Sequence, residues 1–198
     1  MLIILFSAMK GDRPAYIIYD SEGKEVKYKN MVEDALKADI VFFGEQHNNP
    51  ISHWLELELT KDLFAEKKDN LVMGAEMFET DDQLILDEYL AGKMKEKSFE
   101  AEAKLWDNYK TDYKPLVNFA LENKIPFIAT NIPRRYASLV NRSGFEGLDS
   151  LSLEASDLRK VNVKLAFFAS LQQLNNFRSF NLSIQFFKGI AIELINVH

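Results

Sequence analysis

Three short apolar runs constrain the fold more than any other feature: "DIVFFGE" at 39–45, "LVMGAEMF" at 71–78 and "IPFIATNIP" at 125–133. Each is continuous rather than alternating, the pattern of a strand buried on both faces of a parallel sheet. Parallel neighbours need crossover connections, and the stretches between the runs have helical patterns. After the first run, Ile51, Leu55, Leu59 and Leu63 recur every four residues, which predicts an amphipathic helix from Pro50 to about Lys67. After the second, "DDQLILDEYLAG" predicts a helix capped by acids and stopped by Gly92. Two more helices follow, in "SFEAEAKLW" and "YKPLVNFALENK". After the third, "PRRYASLVNRSG" predicts a helix that starts at Pro133 and ends at Gly144. Ahead of all three, "AYIIYDSEGKEVKY" reads as a hairpin turning at Ser21-Glu22-Gly23, and "NMVEDALKA" as a short helix. The expected fold is α/β: a mostly parallel central sheet flanked by helices, with an N-terminal β-hairpin.

At 198 residues the chain is long enough for one domain with its own core, and its 47% hydrophobic and 27% charged residues fit a globular protein. The net charge of −6 argues against nucleic acid as the main partner, because phosphate recognition needs a basic surface. There is no cysteine, which excludes disulfides, thiolate metal sites, thiol nucleophiles and cysteine-linked lipid. The opening "MLIILFSAMKG" is too short for a membrane span or a signal-peptide core. It reads either as the remnant of a signal segment, over residues 1–14, or as a short buried strand.

In open parallel sheets, ligands gather at the carboxyl ends of the strands. Here those ends carry Glu45 with His47, then Glu76, then Asn131. Glu45 and His47 are two residues apart and share one face of an ideal strand. Carboxylate plus imidazole suits a divalent metal such as zinc or manganese, and Glu76 would complete a set of three protein ligands. A carboxylate that only caps a helix or pairs with an arginine is the plainer alternative. His53 falls in the first turn of the helix after Asn49, where the dipole disfavours its protonation and suits it to neutral ligation or to a ligand anion. Arg134 and Arg135 lie in the first turn after Pro133, where each cation is disfavoured by about 0.3–1 kcal/mol. Two there imply something negative close by: Glu45, Glu76, or an external carboxylate or phosphate. Tyr136 follows directly; positive neighbours favour a phenolate, and tyrosine oxygen is a known ligand of haem iron. Trp106, Tyr109 and Tyr113 form an aromatic cluster that either lines a flat apolar pocket or packs helices.

Taken together, "VFFGEQHNNPISHWLELELTKDL", "LVMGAEMFETDDQLILDEYLAGK" and "WDNYKTDYKPLVNFALENKIPFIATNIPRRYASLVNRSG" resemble the ChaN-like haem-binding lipoproteins, in particular the Campylobacter type. These belong to a wider group with Tiki and erythromycin-esterase-like proteins. The resemblance runs from about Ala15 to Leu158 and rests on the combination of G-E-x-H, E-M-F, D-Y-x-P-L-V and N-I-P-R-R rather than on any one piece. It implies an iron-regulated protein of the cell envelope, periplasmic or outer-membrane-associated, that takes part in haem and iron acquisition. It also implies a homodimer holding two haems face to face between subunits, each bound through a tyrosine, and an outer-membrane haem receptor as a possible partner. Tyr136 is the best match for that tyrosine and Tyr113 the second. His53 matches a propionate partner, with Arg134 and Arg135 as the physical alternative.

The Tiki-like relatives supply a rival reading, a metal-dependent hydrolase or peptidase using Glu45, His47 and Glu76, with Gly44-Glu45-Gln46-His47 fitting a G-x-x-H motif. Two departures from the haem-binding family stand out. The lipid-bearing cysteine is missing; Met9 occupies the matching place. Beyond about Lys160 the family's terminal helices are not recognisable. Residues 161–198 hold one acid, Glu193, but six of the 15 phenylalanines. "LAFFASLQQL" has a helical pattern; the rest has no clean period and reads either as a buried terminal strand or as a truncated or frame-shifted end. The expected organisation is a domain at 15–160 followed by this atypical segment.

Overall fold

The computed structural model describes residues 14–151 and 190–193. The hairpin forms as expected. β1 (Ile18–Tyr19) and β2 (Glu25–Val26) pair antiparallel, Ile18 opposite Val26. Asp20 Oδ1 accepts from the amides of Glu22 (3.0 Å) and Lys24 (2.9 Å), and Gly23 takes the left-handed φ of 79° that closes the turn. α1 (Tyr28–Ala35) follows, then β3 (Val41–Phe42), α2 (Pro50–Lys67), β4 (Leu71–Glu79), α3 (Gln83–Leu90) and α4 (Glu96–Glu102). A π-helical turn at Tyr109–Tyr113 runs into α5 (Lys114–Asn123), and β5 (Phe127–Asn131) and α6 (Arg134–Ser143) complete this part. Ile190–Glu193 form β6. All four strands of the main sheet are parallel, in the order β3-β6-β4-β5. The fold is therefore α/β with a small parallel sheet. Residues 1–13, the helical pattern at 165–174 and most of the atypical segment lie outside the described residues.

β4 is the strand the sequence describes best. Leu71, Met73, Ala75, Met77 and Phe78 are buried, as a central strand covered on both faces requires. Phe78 meets Phe127 edge-on, ring centroids 5.6 Å apart, and Tyr89 stacks on Phe99 at 4.3 Å. Leu59 and Leu63 of α2, Leu86 of α3 and Val117 of α5 close the core around it. A fully buried phenylalanine of this kind contributes about 3–5 kcal/mol against alanine.

Two expectations need correction. The run at 39–45 is not buried on both faces: β3 has two residues, sits at the sheet edge, and leaves Phe42 40% exposed. The four-residue repeat in α2 also does not mark its inner face. At 3.6 residues per turn, a step of four drifts by about 40°, so three steps rotate Ile51 well away from Leu63. The buried face is instead His53, Glu56, Leu59, Thr60 and Leu63, and Ile51 is exposed. A helix with a histidine and a glutamate on its inner face must find partners for them, and it does so at the strand ends.

Candidate functional site

Because the strands are parallel, the ends of β3, β4 and β5 share one rim of the sheet. Two polar clusters occupy it. The first is built on the loop after β3. Asn49 caps α2, accepting from Ile51 N (3.0 Å) and Ser52 N (3.3 Å), with Pro50 in the first helical position. This start fixes His53 one turn in, facing back to the loop. Its Nε2 lies 2.7 Å from Glu45 Oε2 and 3.1 Å from the His47 carbonyl. A carbonyl only accepts, so Nε2 carries a proton and is directed there; the approach to Glu45 is an ionic contact rather than a well-aligned hydrogen bond. Asn108 also donates to the His47 carbonyl and reaches Asp112 Oδ2 at 2.8 Å, so the loop is pinned from two sides.

Glu45 is the centre of this cluster. It is buried, and its Oε1 accepts from His47 Nδ1 at 2.8 Å and from the Tyr113 hydroxyl at 2.5 Å. Burial alone would push its carboxyl up, but His53, Tyr113 and His47 outweigh that and hold it below the usual range. Burial likewise opposes charge on His53, yet Glu45 and the His47 carbonyl prevail and its net shift is upward. Behind them Glu56, fully buried, has Oε2 at 3.9 Å from His53 Nδ1; burial and then the Glu45 charge raise its carboxyl well above the normal value. Burial and the bond to Glu45 keep Tyr113 a protonated phenol. Trp106 closes the cluster, edge-on to His47 at 4.4 Å and to Tyr113 at 5.6 Å.

The second cluster stands where β4 and β5 end. β4 uses four steps from Ala75 to Glu79 where β5 uses two from Ala129 to Asn131, and this irregularity sets Glu79 beside Asn131. Lys104 Nζ reaches Asp81 Oδ2 (2.7 Å) and Glu79 Oε2 (3.2 Å), while its backbone N–H donates to Asp82 Oδ2 (3.1 Å). Arg134 donates its backbone N–H to Glu79 Oε2 (3.2 Å), with its guanidinium 3.6 Å from Oε1; Arg135 pairs with Asp81. Burial pushes Asp81 up, but Lys104 and Arg135 overcome it and the net shift is down. Tyr136 is half-buried on α6, a helix with no buried residue, and the Arg135 guanidinium lies 4.5 Å from its ring centre.

The predicted residues therefore divide. Glu45, His47, His53 and Tyr113 come together; Arg134, Arg135 and Tyr136 come together in the other cluster. β4 continues three residues past Glu76, so the acid at the end of the strand is Glu79. Glu45 and His47 meet His53 and Tyr113 rather than a second carboxylate, and among the described residues no group of three or more histidines and acids is arranged to hold a metal ion. His53 is turned inward, 3% exposed at its side chain, and the dipole argument for a neutral ring fails against Glu45. The anion beside the two arginines is Glu79 and Asp81. Asp81 and Asp82 do not cap α3 as expected, since they are spent on Lys104 and Arg135. Trp106, Tyr109 and Tyr113 pack rather than line a pocket: both tyrosines are 2% exposed. Sequence reasoning missed Glu56, Lys104, Asn108 and Glu79. The spacing of Glu56, three after His53 on one helical face, was the available signal for the first.

Comparison with known proteins identifies the family of this chain. A family model described as haem-binding uptake, Tiki superfamily, ChaN matches residues 31–180, which takes in both clusters. A solved structure of ChaN of Campylobacter jejuni, described as showing cofacial haem binding, superposes with a TM-score of 0.56 at 16% identity, covering 90% of this chain and 78% of that one. Likeness at that identity speaks for the fold. The chloroplastic protein RETICULATA-RELATED 5 of Arabidopsis thaliana is 28% identical over 126 residues, 61% of this chain; the match spans about 17% of that relative's length. With three-quarters of its length matched by the family model and its fold shared with ChaN, the chain belongs to the ChaN-like haem-binding family of the Tiki superfamily.

Proposed function

We propose that this chain binds haem through Tyr136, as a face-to-face pair held between two copies of the chain, and serves haem and iron acquisition in the cell envelope. Family membership supports the ligand. The choice of tyrosine rests on one contrast between the two candidates. Tyr113 is buried, and its hydroxyl is bonded to an ionised carboxylate that resists loss of the phenolic proton. Tyr136 is half-exposed on a surface helix with a guanidinium against its ring, and its oxygen is 3.4 Å from Arg135 Nη2. Ligation of ferric iron by tyrosine needs the phenolate, so Tyr136, unlike Tyr113, would serve without dismantling a buried network.

The residues around Tyr136 fit such a ligand. Leu139 and Val140 lie on the same helical face, three and four residues on, and are only half-buried, so they offer apolar surface to a porphyrin edge. The arginines are engaged with Glu79 and Asp81, so any contact to propionates would share those partners. An envelope location and an outer-membrane haem receptor as partner are proposed from the family resemblance. Among the described residues no helix is long and apolar enough to cross a membrane. Titration of the purified chain with hemin tests the reading: a shifted Soret band saturating at one haem per subunit supports it, and the spectrum of free hemin throughout would end it.

A further inference from the structure

β5 has β4 on one side and, among the described residues, no strand on the other. Such an edge offers its amides and carbonyls to any second strand. The Pro126 carbonyl accepts from Met73 N of β4 at 2.9 Å, so alternation along the strand turns the backbone groups of Phe127 and Ala129 outward. One side chain takes the two outward groups that flank Ile128. Gln83, at the start of α3, donates from Nε2 to the Phe127 carbonyl at 2.9 Å, and its Oε1 accepts from Ala129 N at 2.7 Å. These are the two bonds that one residue of a parallel fifth strand would make. Asp87, one turn further along α3, fixes the amide: Nε2 also donates to its Oδ1 at 2.8 Å. A carboxylate and a carbonyl only accept and a backbone N–H only donates, so the flipped amide would lose all three bonds. Without Gln83 the edge is self-complementary. Turned about a two-fold axis at Ile128, a second copy would offer its own Ala129 N–H to the Phe127 carbonyl and its own Phe127 carbonyl to the Ala129 N–H. Ile128, 45% exposed, would then lie opposite its copy as an apolar cross-strand pair.

We propose that the Gln83 amide, locked by Asp87, is a strand cap that closes the β5 edge against pairing with a second copy of this chain. The cap does not depend on haem, so the hemin-free full chain is the sample. The test combines amide hydrogen exchange read at Ala129 with light scattering over a concentration series. In dilute Gln83→Ala the Ala129 amide should exchange about tenfold faster than in the wild type, as the loss of one hydrogen bond implies. At high concentration the mean mass of this variant should climb above that of the wild type. Adding Ile128→Lys should return the mass to the wild-type value, because like charges would then face each other across the pair. Gln83→Asn keeps the amide but is one methylene too short to span both backbone groups. It should match Gln83→Ala and takes its place should that variant fail to fold. Wild-type exchange at Ala129, a mass no higher than that of the wild type, or association that Ile128→Lys leaves intact would each overturn the proposal.

Discussion

Removing one hydroxyl from each of two neighbouring buried tyrosines should change stability in opposite directions. Tyr113 and Tyr109 lie four residues apart in the π-helical turn, and both are 2% exposed. The Tyr113 hydroxyl donates to Glu45 Oε1 at 2.5 Å; the Tyr109 hydroxyl is buried with no hydrogen-bond partner among the described residues. Tyr113→Phe deletes a hydrogen bond to a charged group, worth about 1.5–3 kcal/mol. Phenylalanine keeps the ring contacts to His53 and Trp106, and Glu45 Oε1 keeps His47, so no larger loss follows from a cavity or a stranded charge. At about 2–4 °C per kcal/mol for a domain of this size, the melting temperature should fall by about 3–12 °C at pH 7. Tyr109→Phe removes an unpaired buried polar group, so it should be neutral or raise stability by up to about 1–3 kcal/mol. The assay is thermal unfolding by circular dichroism. Glu45 adds a second readout. Tyr113 helps depress its folded pKa, and the stability this gives is present above the unfolded value and lost as pH falls through the folded one. Tyr113→Phe should therefore move the acid unfolding limb to higher pH. Equal losses in the two variants, or an acid limb that does not move, would refute the assignment of Glu45 as an ionised hub.

Glu56→Gln should stabilise the protein more at pH 8 than at pH 5. The folded pKa of Glu56 is raised, so its favourable contribution is complete below the unfolded value and is lost as pH climbs; melting temperatures at the two pH values check the sign. Asn49→Ala should cost about 1 kcal/mol by uncapping α2, read from urea unfolding, and a loss near zero would mean the cap is redundant. Lys124 ends α5 in the left-handed region at φ 57°, so Lys124→Gly should gain about 0.5–1 kcal/mol by the same measurement; a loss would show that this side chain matters more than its backbone strain.

The sequence was most legible where one physical rule governed. Asn49-Pro50 marked the start of α2 correctly because capping is local, and Leu71 to Phe78 read as a buried strand because nothing polar interrupts its core face except at the end. It was least legible where a partner lies far along the chain. Lys104 is 25 residues from Glu79, and no periodicity announces that pairing; without it Asp81 and Asp82 look like helix caps. Glu76 was read as the strand-end acid and Glu79 was passed over, because the irregularity that carries β4 on to Glu79 opposite Asn131 is visible only in the paired register. His53 was located correctly but given the wrong charge preference, since the helix dipole is weaker than a carboxylate 2.7 Å away. β3 looked central from its composition, yet apolar content alone does not say whether a strand has neighbours on both sides.

Haem is proposed to bind here through Tyr136 and not through Tyr113. The most direct measurement is resonance Raman spectroscopy of the ferric hemin complex, excited in the phenolate-to-iron charge-transfer band, for the wild type, Tyr136→Phe and Tyr113→Phe. Phenolate modes are expected in the wild type and in Tyr113→Phe, and their loss in Tyr136→Phe. Phenolate modes that survive Tyr136→Phe, or that disappear in Tyr113→Phe while the protein stays folded, would contradict it.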